Sequence, residues 1–203
     1  MTTRLTLISH AATQAQRRAA FPLDEPLDER EIAKITALRW KAPRAQRILA
    51  GPERRTQETA RALGLSAAKT SELRDCDYGL WRGRELSELQ SLDPEGLLAW
   101  LTDPNANPHG GESIVNLIDR VGPWMDEGMD KGMDEGTQAG HTIAVTHPPL
   151  IRGAIVHALQ APPAAFFRID VAPLSITDLR FNGKAWTLRS TGYGLMSPME
   201  GND

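Results

Sequence analysis

Apolar runs alternate along this chain with segments of helical period, which predicts strands alternating with helices. Residues 4–8 form a short apolar run that predicts a buried strand, and it leads straight into Ser9-His10-Ala11-Ala12-Thr13. The Ala-rich residues 11–20 predict a helix start or ordered loop. Residues 21–27, broken by Pro22 and Pro26, predict irregular backbone. In residues 28–40 the apolar positions Ile32, Ile35 and Leu38 follow helical spacing until Pro43. Residues 46–50 predict a second buried strand, broken by Gly51-Pro52. Residues 53–63 predict a helix with acids at its start and Gly64 just past its end. A short strand over 69–73, a Gly- and aromatic-bearing loop over 75–84 and helices over 85–92 and 94–101 follow.

Residues 103–111 hold two prolines, two asparagines and two glycines, and predict a loop. Ser113 is an N-cap for a helix from 114 to about 133. Within it Met125-Asp126-Glu127-Gly128 recurs as Met129-Asp130-Lys131-Gly132 and Met133-Asp134-Glu135-Gly136, which reads as a marginal surface helix weakened by its glycines. Residues 142–146 predict a strand entering Thr146-His147-Pro148-Pro149, with a helix over 148–159. Strands are predicted over 168–171 and 176–181, then an Asn182-Gly183 hairpin turn, a strand over 185–189 and an irregular tail beyond Gly192. The order predicts a single α/β domain over residues 1–203. Its architecture is a three-layer α/β/α sandwich, with a mainly parallel sheet and helices on both faces.

Composition narrows the function classes. With 40% hydrophobic and 24% charged residues the 203-residue chain is that of an ordinary globular protein. A net charge of −3 gives no reason to expect nucleic acid or an anionic membrane as partner. No signal-peptide pattern and no membrane-length apolar run is present, and one cysteine, Cys76, excludes an internal disulfide. The expectation is a cytoplasmic protein; the pattern sets no oligomeric state.

Candidate chemistry gathers at the strand ends. His10 and His147 each follow an apolar strand directly, where ligands bind in open α/β sheets. Arg55 stands in the first turn of the helix after the second strand. A helix N-terminus already favours anions, so an arginine there opposes the dipole and reads as a forked donor to phosphate.

Taken in order, these segments resemble the histidine phosphatase, or phosphoglycerate mutase-like, superfamily. The family's Arg-His-Gly-x-Thr reads here Ser9-His10-Ala11-Ala12-Thr13. Its Asp-x-Pro-Leu reads Asp24-Glu25-Pro26-Leu27. Its Ser-Pro-Leu-x-Arg-Ala-x-Gln-Thr-Ala spans residues 51–60 and places the second arginine at Arg55. Its Leu-x-Glu-x-x-x-Gly-x-Trp-Glu-Gly spans 73–83 and places the acid at Asp75. Gly110-Gly111-Glu112-Ser113 is intact, and the second histidine is His147. The resemblance implies a phosphomonoesterase. His10 would be the nucleophile, and Arg55, His147 and Thr13 the donors to phosphoryl oxygens. Asp75 would be the acid and base. It implies a small phosphorylated substrate, such as a sugar, nucleotide or cofactor-precursor phosphate, or a phosphoprotein, and neither metal nor other cofactor.

Four departures bear on that reading. Ser9 replaces the family's first arginine, which by analogy with loss of an oxyanion donor costs about 10²–10³ in rate. Pro148 lacks an N–H. Asp75 is shorter than the family's glutamate, and Ala11 restricts a turn where the family has glycine. Replacement phosphate donors are sought among Arg17, Arg18, Arg82, Arg84 and Arg152, with Arg82 and Arg152 preferred; Ser9 is kept as a binding residue through its hydroxyl. Tyr78 and Trp81 could wall a pocket or pack the core, while His109, His141, His157 and Cys76 read as structural. The alternative to catalysis is a family member that binds a phosphorylated or anionic ligand without turning it over. A mutase, which must shield phosphohistidine from water, fits this short chain less well.

Overall fold

A computed structural model describes residues 2–128 and 140–195. The Met129–Gly136 part of the repeat lies outside them, as does most of the tail. Among the described residues the strands are β1 (Thr3–Ser9), β2 (Arg47–Ala50), β3 (Ala68–Lys69), β4 (His141–Thr146), β5 (Ser175–Phe181) and β6 (Trp186–Gly194). They form one mixed sheet in the order β3-β2-β4-β1-β5-β6. Pairing is parallel from β3 through β1 and antiparallel from β1 to β6. The helices are α1 (Gln14–Arg17), α2 (Glu29–Ala37), α3 (Arg54–Ala62), α4 (Leu86–Leu92), α5 (Pro94–Thr102), α6 (Ile114–Gly128) and α7 (Pro148–Leu159).

Strand β4 is buried along its whole length, which is why it reads as a continuous apolar run rather than an alternating one. Period-2 alternation sends Leu5 and Leu7 to one face and Ile8 to the other. The first face packs under Leu117 and Val121 of α6 and Leu150, Ile151 and Ala154 of α7. The second packs against Ile35 of α2 and Ala60 of α3. Helices on both faces make the three-layer α/β/α sandwich that the alternating pattern predicts.

Three predicted elements differ. Residues 168–171 form no strand; the chain instead makes a 3₁₀ helix over Pro163–Arg168. Pro162 and Pro163 start that helix, and Phe166 is buried under the sheet's helical layer while Ile169 packs on the same core. The apolar run thus reflects burial, not strand pairing. At the other end β6 continues to Gly194, past the expected Arg189. Its outer half is exposed and polar, so ladder hydrogen bonds rather than an apolar pattern carry it. The segment 69–73 is likewise divided, with a two-residue strand followed by a 3₁₀ turn over Ser71–Leu73.

Candidate active site

Parallel register brings three chain segments to one end of the sheet. Ser9 of β1 lies opposite Thr146 of β4, and Ala50 of β2 opposite Val145. The ladder runs one step further. His10 N donates to Thr146 O at 2.9 Å, and Gly51 N donates to Val145 O at 3.0 Å. His10, His147 and the loop entering α3 therefore leave the sheet side by side. The two imidazole centroids are 5.2 Å apart, edge to face.

Their surroundings differ. His10 is buried, and its Nδ1 lies 2.7 Å from the Ala11 carbonyl oxygen, so Nδ1 carries the proton and Nε2 keeps its lone pair. Burial, then the charges of His147 and Arg55, push its pKa down to about 3. His147 is also buried, but its Nε2 donates to Glu53 Oε2 at 2.7 Å and its Nδ1 stands 3.4 Å from Asp75 Oδ2. Burial alone would raise Glu53, yet the hydrogen bond and charge of His147 outweigh it and bring the carboxyl to about 2.

Arg55 is 2% exposed and makes two bonds, Nη1 to Leu23 O and Nη2 to Asp75 Oδ2, both 2.6 Å. Glu25 Oε2 approaches the same guanidinium at 3.9 Å. Burial would push Asp75 up, but His147 and Arg55 pull it below the ordinary carboxylate range. Asp75 is fixed from behind. Arg120 donates to the Glu72, Arg74 and Asp75 carbonyls and grips Glu112. The intact Gly110-Gly111-Glu112-Ser113 segment thus braces the acid's loop. Close backbone approach explains Gly111 and, facing it, Gly79. A Cβ on Gly111 would meet Asp77 O at 2.1 Å, and one on Gly79 (φ +45°) would meet His109 O at 2.1 Å.

The other candidates separate. Ser9 is buried with its Oγ lacking a hydrogen-bond partner. Thr13 caps α1, its hydroxyl accepting from Gln16 N at 3.3 Å. Arg82 reaches the rim of a cavity of about 350 Å³ whose lining includes Leu23, Glu53, Arg55, Arg74 and Asp75, and pairs with Asp77 at 3.1 Å. Arg152 lies over the Phe166 ring, 5.6 Å from its centroid, and is not part of that lining. Arg17, Arg18 and Arg84 are taken up by Asp28, Glu85 and Glu88. Ala11 is not in the left-handed region, so it fits its turn without strain; its N–H donates to Thr59 Oγ1 at 3.0 Å. His109 packs 5.0 Å from the Trp81 ring and accepts from Gly111 N. His141 is held between Arg44 O and the Thr6 hydroxyl. Burial raises the Cys76 thiol, leaving it inert. Among the described residues no group of three or more His, Cys, Asp or Glu side chains could hold a metal ion, and no helix is long and apolar enough to cross a membrane.

Glu53 and Glu25 are the site residues that sequence reasoning passed over. Glu53 was legible as a departure, since the family pattern has leucine there, but an acid beside a helix start has a sufficient local explanation in the dipole.

The sequence profile of the histidine phosphatase superfamily (branch 1) matches residues 5–193. The chain is 28% identical over 204 residues to the Bifunctional protein Rv2228c of Mycobacterium tuberculosis, covering 94% of this chain and 55% of that one. It thus spans about half the length of that relative. It is 32% identical over 134 residues to glucosyl-3-phosphoglycerate phosphatase of Mycolicibacterium vanbaalenii, covering 61% and 59% of the two chains. The solved mycobacterial glucosyl-3-phosphoglycerate phosphatase in complex with VO3 superposes with a TM-score of 0.78 at 26% identity, over 92% of this chain and 96% of that one.

Proposed function

The chain belongs to the histidine phosphatase superfamily, and from that premise we propose that it is a phosphomonoesterase acting on a small phosphorylated metabolite through a phosphohistidine at His10. One observation carries the reading. Arg55 Nε and His147 Nδ1, beside a His10 imidazole held neutral, and Ser9 Oγ at the end of the same strand are buried without hydrogen-bond partners. Unmatched buried polar atoms are rare in native proteins and call for a partner. A tetrahedral oxyanion supplies acceptors for all three. The relatives named as phosphatases of a phosphorylated glycerate derivative support the same substrate class.

The chemistry follows from the geometry. Neutral His10 Nε2 attacks phosphorus without adding negative charge to a dianion. Arg55 and His147 hold equatorial oxygens as charge spreads over them, with Ser9 and Thr13 adding hydroxyls. Arg82 and Arg152 are outer donors at most. His147 and Arg55 hold Asp75 ionised. A phosphoryl group that takes the Arg55 fork and places negative charge beside Asp75 raises that carboxyl and loads the proton the leaving alkoxide needs. Water then attacks phosphorus, Asp75 takes its proton, and His10 is released. Residues 1–203 act in this as one unit.

A second reading, ligand binding without turnover, draws on the carboxylates already at the donors, Glu25 and Asp75 at Arg55 and Glu53 at His147. Hydrolysis of an aryl phosphate by the wild type and by His10→Ala decides. Turnover lost in the variant supports the phosphatase. Equal rates in the two proteins, or no turnover by the wild type at any concentration that saturates phosphate binding, remove it.

A further inference from the structure

Glu53 is an odd residue to find here. It sits at the N-cap of α3, yet its side chain makes no cap hydrogen bond to the helix. Both carboxylate oxygens turn to the site instead. Oε2 accepts from His147 Nε2 at 2.7 Å, and Oε1 accepts from the Asp75 backbone N–H at 3.1 Å. The neighbouring Gly51 leaves room for this. A Cβ on Gly51 would stand 3.1 Å from His147 Nε2 and 3.2 Å from Glu53 Oε2, besides 2.8 Å from Leu73 O. A side chain at 51 and the Glu53–His147 pair therefore compete for the same space. A cavity open to solvent is lined by Glu53, Arg55 and Asp75, and His10 is 3% exposed.

Resting on the phosphatase reading above, we propose that Glu53 is an affinity- and specificity-determining residue whose carboxylate, fixed in the cavity wall beside Arg55 and Asp75, opposes a bare anion and favours a substrate that carries a donor next to its phosphate. His147 Nε2 and the Asp75 amide hold the carboxylate in that wall, while His147 Nδ1 is left for the phosphoryl group. Glu53 also adds like charge to a site where Glu25 and Asp75 already face Arg55. Its cost falls on every phosphate ester. A substrate regains that cost when the group beside its phosphate donates to the Glu53 carboxylate, as an ammonium or a vicinal hydroxyl does. Glu53 thus selects esters with a cationic or polyhydroxylated neighbour to the phosphate over bare aryl or alkyl phosphates.

Titration calorimetry with inorganic phosphate on wild type, Glu53→Gln, Glu53→Leu and Arg55→Ala tests this. Phosphate carries no neighbouring group, so removing the carboxylate leaves only the relief of like charge. Glu53→Gln is expected to bind phosphate at least about tenfold tighter, a modest share of what one nearby like charge is worth. Glu53→Leu, which restores the residue type of the family pattern, is expected to follow, should Gln perturb folding. In turnover the KM for an aryl phosphate falls, and the preference for phosphoethanolamine or a sugar phosphate over it shrinks. Unchanged or weaker phosphate binding in both Glu53 variants overturns the proposal. If the wild type binds and Arg55→Ala does not, that failure leaves the anion site standing. If no protein in the set binds phosphate, both readings fall together.

Discussion

The strand end at 9–13 and the strand end at 146–149 place a histidine in the same way and give it opposite surroundings. His10 spends one nitrogen on the Ala11 carbonyl, meets no carboxylate within hydrogen-bond range, and has its pKa pushed down to about 3. His147 stands between Glu53 and Asp75, 2.7 and 3.4 Å away. One imidazole is prepared to give an electron pair and the other to donate its N–H between carboxylates. Position at the end of a buried parallel strand sets where such a side chain goes. The residues on the facing loops set what it does there. The contrast has a local cause in α7, whose first two residues are Pro148 and Pro149. Neither has an N–H, so that helix start offers fewer amides to an anion. The second segment must work through the His147 ring itself.

Unequal histidines should fail unequally. His10→Ala is expected to abolish aryl phosphate turnover, whereas His147→Ala is expected to leave residual turnover, reduced by about 10²–10³ as for one oxyanion donor. Steady-state rates of the two variants check this, and matching losses would break the contrast. Their stabilities should diverge the other way. His147→Ala strands Glu53 and Asp75 beside each other, and losing one partner of a buried charged cluster costs about 3–5 kcal/mol, readable in urea melts. His10→Ala leaves no charge unpaired and costs less.

Acid should act on both ends at once. His10 in the unfolded chain takes up a proton near its ordinary 6.5, but in the folded protein only near 3. Between those values the unfolded state binds more protons, so stability is full above 6.5 and is lost as pH falls toward 3, by an amount on the order of 3–5 kcal/mol. Glu53 adds a second loss between 4.5 and about 2, with the same sign. Urea melts at pH 7, 5 and 4 follow the first loss, which should shrink in His10→Ala. A flat profile from 7 to 4 would show that His10 is not held neutral.

Gly79→Ala gives a smaller effect and a control outside both strand ends. Its φ of +45° and the 2.1 Å approach to His109 O predict a stability loss of about 1–3 kcal/mol. Turnover in the folded fraction should change little, because Arg120 and Glu112 still brace the Asp75 loop. A large fall in kcat would tie the acid's position to this crossing instead.

Hydrophobic pattern made most of the fold legible, because buried parallel strands and amphipathic helices each need a distinctive spacing. The 12 residues of α7 coincide with the expected 148–159. Pattern misled where burial and pairing part company. Phe166 and Ile169 lie in the core without joining the sheet, while the exposed residues Thr191 to Gly194 join it. At the site, the histidines and Arg55 were readable from residue type and place, and Asp75 from the family resemblance. The Glu53–His147 pair was not, since 94 positions separate its members and only the β2–β4 register closes that distance. The arginines sought as replacements illustrate the same limit. Sequence marks Arg17, Arg18 and Arg84 as cations near motif segments, and only the fold reveals that carboxylates already occupy them.

The most direct test is to catch the covalent step. Wild type mixed with an aryl phosphate, quenched in alkali and digested, should carry phosphate on the nitrogen of His10, and mass spectra of His10→Ala should show none. Phosphate found on His147, or rapid hydrolysis with no labelled histidine in a burst-phase sample, would contradict the assignment of a nucleophile to the first strand end and a donor role to the second.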